Sequence, residues 1–214
     1  RSQFFTGNAT VNACEQLMDA MRKADGSYRT YDEMVAEGIE TKYMGHFTEA
    51  PFCSAIDPET SQYKPVLTYQ YAVFLAEVEV DVTSGKTRVC SMTVAADIGT
   101  IGNYLLVEGQ IYGGVAQGIG MALFEEFKDI PKHTTMRGAG IPTIKDIPDD
   151  IEVIFQETPR PQGPFGASGV GELPSTAPHP AIISAMYDAC GVRVTHLPAR
   201  PEKVLAGLKA KANA

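Results

Sequence analysis

A glycine-rich segment near the end of the chain, Gly163–Pro174, constrains the fold of this sequence more than any other feature. Gly166, Gly169 and Gly171 can adopt backbone conformations closed to other residues, and they let a main chain approach a ligand closely. The pattern is typical of a loop that surrounds a ligand, and equally of a surface turn. Glu172 is the only carboxylate of this segment. It is either a base with few hydrated neighbours, in which case desolvation would raise the pKa of its carboxyl, or it is a helix cap or a surface charge.

Composition and charge exclude several classes of protein. The chain is 44% hydrophobic and 21% charged, which is typical of a globular protein rather than a disordered one. A net charge of -8 and the absence of a basic stripe exclude a nucleic-acid-binding role. No apolar run approaches the roughly 20 residues of a membrane span, so we expect a cytoplasmic chain that contacts no membrane. Because the chain starts at Arg1 and not at Met, we interpret it as a piece of a longer protein.

The cysteines and histidines show no metal-ligand spacing. No Cys-x-x-Cys pair occurs, so we expect buried free thiols at Cys14, Cys53, Cys90 and Cys190. The histidines lie far apart in sequence, and we expect each to be solvated or hydrogen-bonded.

Apolar spacing predicts a helix over Thr6–Lys23. The residues before it, Arg1, Ser2 and Gln3, are either a polar lead-in to a helix N-terminus that favours anions or a frayed end. A short helix is predicted near Tyr31–Glu37.

The middle of the chain predicts a sheet. Alternating apolar residues indicate strands over Tyr69–Val82 and Arg88–Ala96, joined by a turn at Thr83–Lys86, which together form a long antiparallel hairpin. The other predicted elements are a loop over His133–Asp150, strands over Ile151–Phe155 and Val192–Leu197, a helix over Ala181–Ala189 and a helix that starts at Pro201.

A further helix is predicted over Gln110–Phe127 although it contains four glycines, Gly113, Gly114, Gly118 and Gly120. Each glycine inside a helix costs about 1 kcal/mol relative to alanine, so close approach must compensate. Another element packs against the glycine side, which we favour, or a cofactor lies there with Gln110 and Gln117 as amide donors.

No internal repeat or linker divides the chain, so we expect one α+β domain over residues 1–214, with a mixed sheet, a long antiparallel hairpin and packed helices. Two common active-site motifs are absent. A serine-hydrolase elbow fails around Ser168 because Val170 occupies the final glycine position. A dinucleotide-binding fingerprint fails after Gly120.

Three ordered motifs, Gly109–Gly120, Ile141–Pro148 and Gly163–Pro174, resemble the molybdenum hydroxylases of the xanthine oxidase family. Within that family the resemblance is greatest to the bacterial aldehyde oxidoreductases. It runs from Thr6 to Val204 and implies that the chain is the C-terminal molybdopterin-binding domain, the second half of the molybdenum cofactor-binding region.

The resemblance also implies a reaction and a site. Aldehydes would be oxidised to carboxylic acids with water as the oxygen source, and Glu172 would act as the general base beside the molybdenum without being its ligand. The residues implied to contact the cofactor are Ser2, Gln3, Gln110, Ser168, Gly169, Val170 and Gly171.

The cofactor implied is molybdopterin cytosine dinucleotide with molybdenum. The chain would be a fragment or a subunit of a larger enzyme and inactive alone. Its partners would be the N-terminal molybdenum and iron–sulfur domains or subunits, with their 2Fe–2S clusters, and the complete enzyme would be a homodimer. Two alternatives stay open. One is a non-catalytic cofactor-binding or assembly module of the same fold, and the other is a hydroxylase of N-heterocycles.

Overall fold

The computed structural model describes residues 2–213, and Arg1 and Ala214 lie outside the described residues. The chain divides into two compact units. The first comprises the residues up to Tyr69 with Ile98–Gly102 and Glu157–Gly169, and the second comprises Gln70–Asp97, Asn103–Gln156 and the residues from Val170 onward. A single domain over residues 1–214 stays a prediction.

The elements in chain order confirm the predicted α+β class. The helices are α1 (Ser2–Met21), α2 (Tyr31–Ala36), α3 (Tyr104–Leu123), α4 (Met136–Ala139), α5 (Leu173–Thr176), α6 (Pro178–Cys190) and α7 (Pro201–Ala212). The strands are β1 (Tyr71–Val80), β2 (Thr87–Asp97) and β3 (Asp150–Gln156), with 3-10 turns at Ile144–Asp146 and Pro164–Gly166.

In the first unit, α1 begins at Ser2, before the predicted start at Thr6. The earlier start is explained by the aromatic residues of this turn. Phe4 is buried, and its ring meets those of Phe5 and Phe47 at centroid distances of 6.0 and 5.9 Å. This packing stabilises a turn that apolar spacing alone did not include. The short helix α2 is confirmed.

The second unit contains the mixed sheet, in the order β1-β2-β3. β1 and β2 form the predicted antiparallel hairpin, and β3 runs parallel to β2. Apolar side chains on one face of this sheet form the core with α3 and α6, centred on residues such as Met92, Ile111 and Ile182. The outer face of the sheet stays exposed.

Helix α3 packs against the starts of α5 and α6 through its glycines. A Cβ added at Gly114 would overlap Pro174 and lie 2.6 Å from its carbonyl carbon, and one added at Gly118 would lie 2.5 Å from Pro178 Cβ. Nothing lies within 4 Å of a Cβ added at Gly113. Close packing is therefore confirmed for three of the four predicted glycines, since a Cβ at Gly120 would lie 2.8 Å from Pro142 Cδ, while Gly113 faces open space.

The first unit has a comparable close approach. Gly166 has a left-handed backbone with φ of 81°, and its carbonyl accepts hydrogen bonds from the Thr100 and Arg160 amides at 3.0 and 2.9 Å. A Cβ at Gly166 would lie 2.7 Å from Thr100 Oγ1 and 2.9 Å from Pro159 Cβ. The Pro164–Gly166 turn is thus held against the Ile98–Gly102 segment.

Some predictions are wrong. Val192–Leu197 forms no strand, because Val192 is buried and its side chain packs where a Cβ at Gly207 of α7 would lie. The thiols are free as predicted but are not buried. Cys14 is exposed, and Cys53, Cys90 and Cys190 are half-buried. The loop over His133–Asp150 contains α4 and a 3-10 turn.

Adjacent glycines of α3 give a matched pair of substitutions. We expect Gly114→Ala to destabilise the chain by about 1–3 kcal/mol, because the new methyl group overlaps Pro174. Gly113→Ala adds the same atom where the space is open, so it should stabilise the helix by about 0.5–1 kcal/mol. Urea unfolding of both variants measures the difference, and equal effects would contradict the packing described.

Two glycines of the first unit, Gly166 and Gly102, give a second matched pair of substitutions. Gly166→Ala should lower the free energy of unfolding by at least about 1–2 kcal/mol, since it combines a left-handed backbone with overlap at Thr100 and Pro159. Gly102 has open space around it and no left-handed backbone, so Gly102→Ala is the control with a near-zero effect. A Gly166→Ala variant as stable as the wild-type chain in urea would refute the close approach.

Candidate cofactor-binding and catalytic site

Glu172 immediately precedes α5, at the point where the chain enters that short helix. Its carbonyl accepts hydrogen bonds from the amide and the hydroxyl of Ser175, at 3.2 and 3.0 Å, which fix the backbone. The Glu172 side chain makes no capping hydrogen bond to the helix. Glu172 therefore occupies the N-cap position of α5, but its carboxylate does not cap the helix.

The carboxylate of Glu172 is exposed. The expectation of few hydrated neighbours is wrong in this chain, because Gly171 beside it is also exposed and has nothing within 4 Å of an added Cβ. A glycine-rich loop removes side chains that would otherwise cover the carboxylate. The loop therefore leaves Glu172 accessible to water and to any group that binds beside it.

Gln110 lies in the same unit as Glu172, on an exposed part of α3. Gly114 follows four residues later on the same face of that helix, and it contacts Pro174, two residues after Glu172. The packing of α3 on α5 therefore brings Gln110 and Glu172 to one region of the second unit.

Open backbone lies next to both side chains. Gly109 and Gly113 flank Gln110 one and three residues away, and Gly171 adjoins Glu172. Nothing lies within 4 Å of a Cβ added at any of the three. A planar group could therefore approach this backbone more closely than side chains would permit. Packing is thus confirmed on one side of α3, and a cofactor on its open side stays a prediction.

Ser168 and Gly169 belong to the first unit, whereas Val170 and Gly171 belong to the second. Ser168 is buried, its amide donates to Ile98 O at 3.1 Å, and its hydroxyl donates to Gly169 O at 3.2 Å. Its position is thus fixed by main-chain bonds within the first unit.

Ser2 and Gln3 form the exposed first turn of α1, so they are part of the helix and not a lead-in to it, and Arg1 lies outside the described residues. Helix α1 contacts the loop that leads to Ser168. Asn8 Nδ2 donates to Gln162 O at 2.8 Å, and a Cβ at Gly7 would lie 2.7 Å from Pro164 Cγ. The first unit therefore brings α1 and the loop together.

Sequence reasoning identified the packed glycines of α3 but missed Pro174 and Pro178, the residues against which they pack. Gly114 and Gly118 lie four residues apart, and so do their contacts Pro174 and Pro178. This matched spacing was the signal that could have paired α3 with the segment after Glu172.

Within residues 2–213 there is no group of three or more His, Cys, Asp or Glu side chains that could hold a metal ion. No helix in that range is both long enough and apolar enough to cross a membrane.

Comparison with known proteins identifies a family. The family model of the molybdopterin cofactor-binding domain matches residues 1–148, more than half of the chain. Gln110 lies inside this range and Glu172 lies beyond it. The aldehyde oxidoreductase of Megalodesulfovibrio gigas is 54% identical over 212 residues, which cover 98% of this chain and 23% of that protein.

Solved structures show the same likeness. The aldehyde oxidoreductase of Desulfovibrio gigas matches with a TM-score of 0.93 and 54% identity, covering 98% of this chain and 23% of that one. The enzyme of Desulfovibrio desulfuricans matches with a TM-score of 0.92 and 56% identity, covering 97% and 22%. This chain spans about a quarter of the length of these relatives. It belongs to the molybdopterin cofactor-binding domain family, within the molybdenum hydroxylases of the xanthine oxidase type.

Proposed function

We propose that this chain provides the general base of a molybdenum hydroxylase that oxidises aldehydes to carboxylic acids with water as the oxygen source. The observation that carries the proposal is the accessible carboxylate of Glu172, which lies next to the open backbone of Gly171 and just before α5, the helix against which α3 packs. The likeness to aldehyde oxidoreductases over 98% of the chain supports the choice of substrate class.

The residues present fit a molybdopterin cofactor. Gly109, Gly113 and Gly171 offer main chain with nothing within 4 Å of an added Cβ, which suits close approach by a flat pterin. Gln110 offers an amide that donates and accepts hydrogen bonds. We propose the cytosine dinucleotide form, with Ser2 and Gln3 in the first turn of α1 near its anionic part, because free amides at a helix start favour anions.

In this proposal Glu172 removes a proton from the oxygen nucleophile derived from water, through an exposed carboxylate that needs no rearrangement of its own backbone. The Gln110 amide orients the reacting groups from α3. When bound, the molybdenum cofactor supplies the acceptor for the electron pair that leaves the substrate. The chain itself thus contributes proton transfer and positioning, and the cofactor contributes the redox chemistry.

The outer face of the sheet supports a further part of the proposal, namely that more protein covers this chain. Tyr71, Val73 and Leu75 on β1 and Ile154 on β3 lie on this face and are 49–70% exposed. Val73 pairs with Ala95 of β2, which pairs with Ile154, so a row of apolar side chains crosses all three strands. Exposed apolar patches of this kind mark protein interfaces.

We propose that the occupant of this face is the N-terminal molybdenum portion of a longer hydroxylase. That portion would be connected to iron–sulfur domains with 2Fe–2S clusters, and the complete enzyme would be a homodimer. The relatives support this reading, since each is about four times as long as this chain.

The proposal is tested by Glu172→Gln in the complete hydroxylase that contains this chain. The amide keeps the shape of the side chain but cannot accept the proton, so we expect kcat with aldehydes to fall about 10²- to 10⁴-fold. Molybdenum and pterin content should stay unchanged. Aldehyde-dependent dye reduction and metal analysis measure the two quantities.

Glu59→Gln is the matched control, because Glu59 is an exposed glutamate in a loop of the first unit, and activity should not change. Full aldehyde oxidation by Glu172→Gln would refute the base assignment. Wild-type turnover of N-heterocycles but not of aldehydes would refute the substrate class. Bound cofactor without turnover of either would favour a non-catalytic cofactor-binding module.

A further inference from the structure

The second unit contains an open pocket of about 720 Å³ that has no part in the function proposed above. It lies where the ends of β1 and β2 meet the α4 region and the start of α7. None of the residues assigned above to catalysis or to the cofactor lines it.

The charge of the lining is opposite in sign to that of the chain. Five basic and four acidic side chains line the pocket, which gives a net charge of +1, whereas the whole chain carries -8. The basic side chains are Lys86, Arg88, Arg137, Lys145 and Arg200. Such a local reversal in an acidic protein favours an anionic ligand.

Three of the four carboxylates already have partners within the protein. The pKa of the Asp81 carboxyl is lowered by hydrogen bonds within its turn, mainly the one from the Ser84 hydroxyl, so Asp81 stays ionised and hydrogen-bonded. The fourth carboxylate, Glu202, lies in the first turn of α7, where the helix dipole favours a negative charge. The engaged pairs are Glu79 with Arg88 at 2.8 Å, Asp81 with Ser84 at 2.6 Å and Asp146 with Thr143 at 2.7 Å.

The hydrogen-bond donors of the lining are less completely paired. The side chains of Arg137 and Lys145 make no hydrogen bond or ion pair with any residue that the structure describes. Thr87 Oγ1 and Arg200 Nε are buried atoms without a hydrogen-bond partner within residues 2–213. Buried polar atoms are rarely left unpaired, because an unmet donor or acceptor is costly. Both atoms are closed off from the open pocket, so the two cations are the donors that a ligand can reach.

We propose that this pocket binds a small organic phosphate ester. A phosphate group carries about two negative charges and three acceptor oxygens, which matches the two unpaired cations of the lining, Arg137 and Lys145. A single carboxylate offers one charge and two oxygens, and would leave part of this set unpaired. Arginine suits such a group because its planar fork can form two parallel hydrogen bonds to it.

The test is calorimetric titration of the 214-residue chain with glycerol 3-phosphate, and with succinate as the dicarboxylate, at constant ionic strength. We expect saturable binding of glycerol 3-phosphate at one site. Arg137→Ala and Lys145→Ala should each weaken it roughly tenfold or more, the usual effect of losing one charged hydrogen bond. Lys209→Ala, which removes an exposed cation of α7 outside the pocket, should leave the affinity unchanged.

Thr87→Val is a control within the lining. It removes a hydroxyl that is buried, unpaired and closed off from the pocket, so neither the melting temperature nor the affinity for glycerol 3-phosphate should fall. Absence of saturable binding to the wild-type chain, or unchanged affinity in both Arg137→Ala and Lys145→Ala, would overturn the proposal. Equal affinity for succinate would overturn the phosphate class. These outcomes are independent of Glu172→Gln, because binding is measured without turnover.

Discussion

The absence of a side chain at Gly114 allows α3 to lie directly against the start of α5. Any larger residue would overlap the backbone of Pro174, and Gly118 has the same relation to Pro178 one turn further along. These two contacts fix where the chain emerges from the glycine-rich loop, and hence where the backbone of Glu172 lies relative to Gln110. The proposed catalytic role depends on this packing, because a base must be held within reach of the proton it removes.

Local patterning was sufficient for most of the fold. The hairpin of β1 and β2 follows from alternation around a Thr-Ser-Gly turn, and β3 and α6 follow from short apolar runs that end at turn residues. The glycines of α3 predicted close packing without identifying the partner. The choice of partner is a tertiary property. Its only sign in the sequence is that Gly114 and Gly118 have the same four-residue spacing as Pro174 and Pro178.

The rest depended on contacts that local patterning does not contain. Val192–Leu197 alternates like a strand, yet Val192 packs on Gly207 of α7 and the segment pairs with none of the three strands that the structure describes. The turn at Ser2 is helical because Phe4 is buried against Phe47, a residue more than forty positions away. The sequence predicted few hydrated neighbours for Glu172, but the carboxylate is exposed because the glycines beside it have no side chains that could cover it. The role of Glu172 itself came from the family resemblance and not from the loop.

A double-mutant cycle tests directly whether the packing of α3 on α5 acts through Glu172. It combines Gly114→Ala with Glu172→Gln in the complete hydroxylase, with kcat normalised to bound molybdenum. If Gly114 affects catalysis by setting the position of the base, Gly114→Ala should lower kcat in the wild-type background and have almost no further effect once Glu172 is Gln. Additive losses from the two substitutions would contradict the claim that the packing of α3 on α5 acts through Glu172.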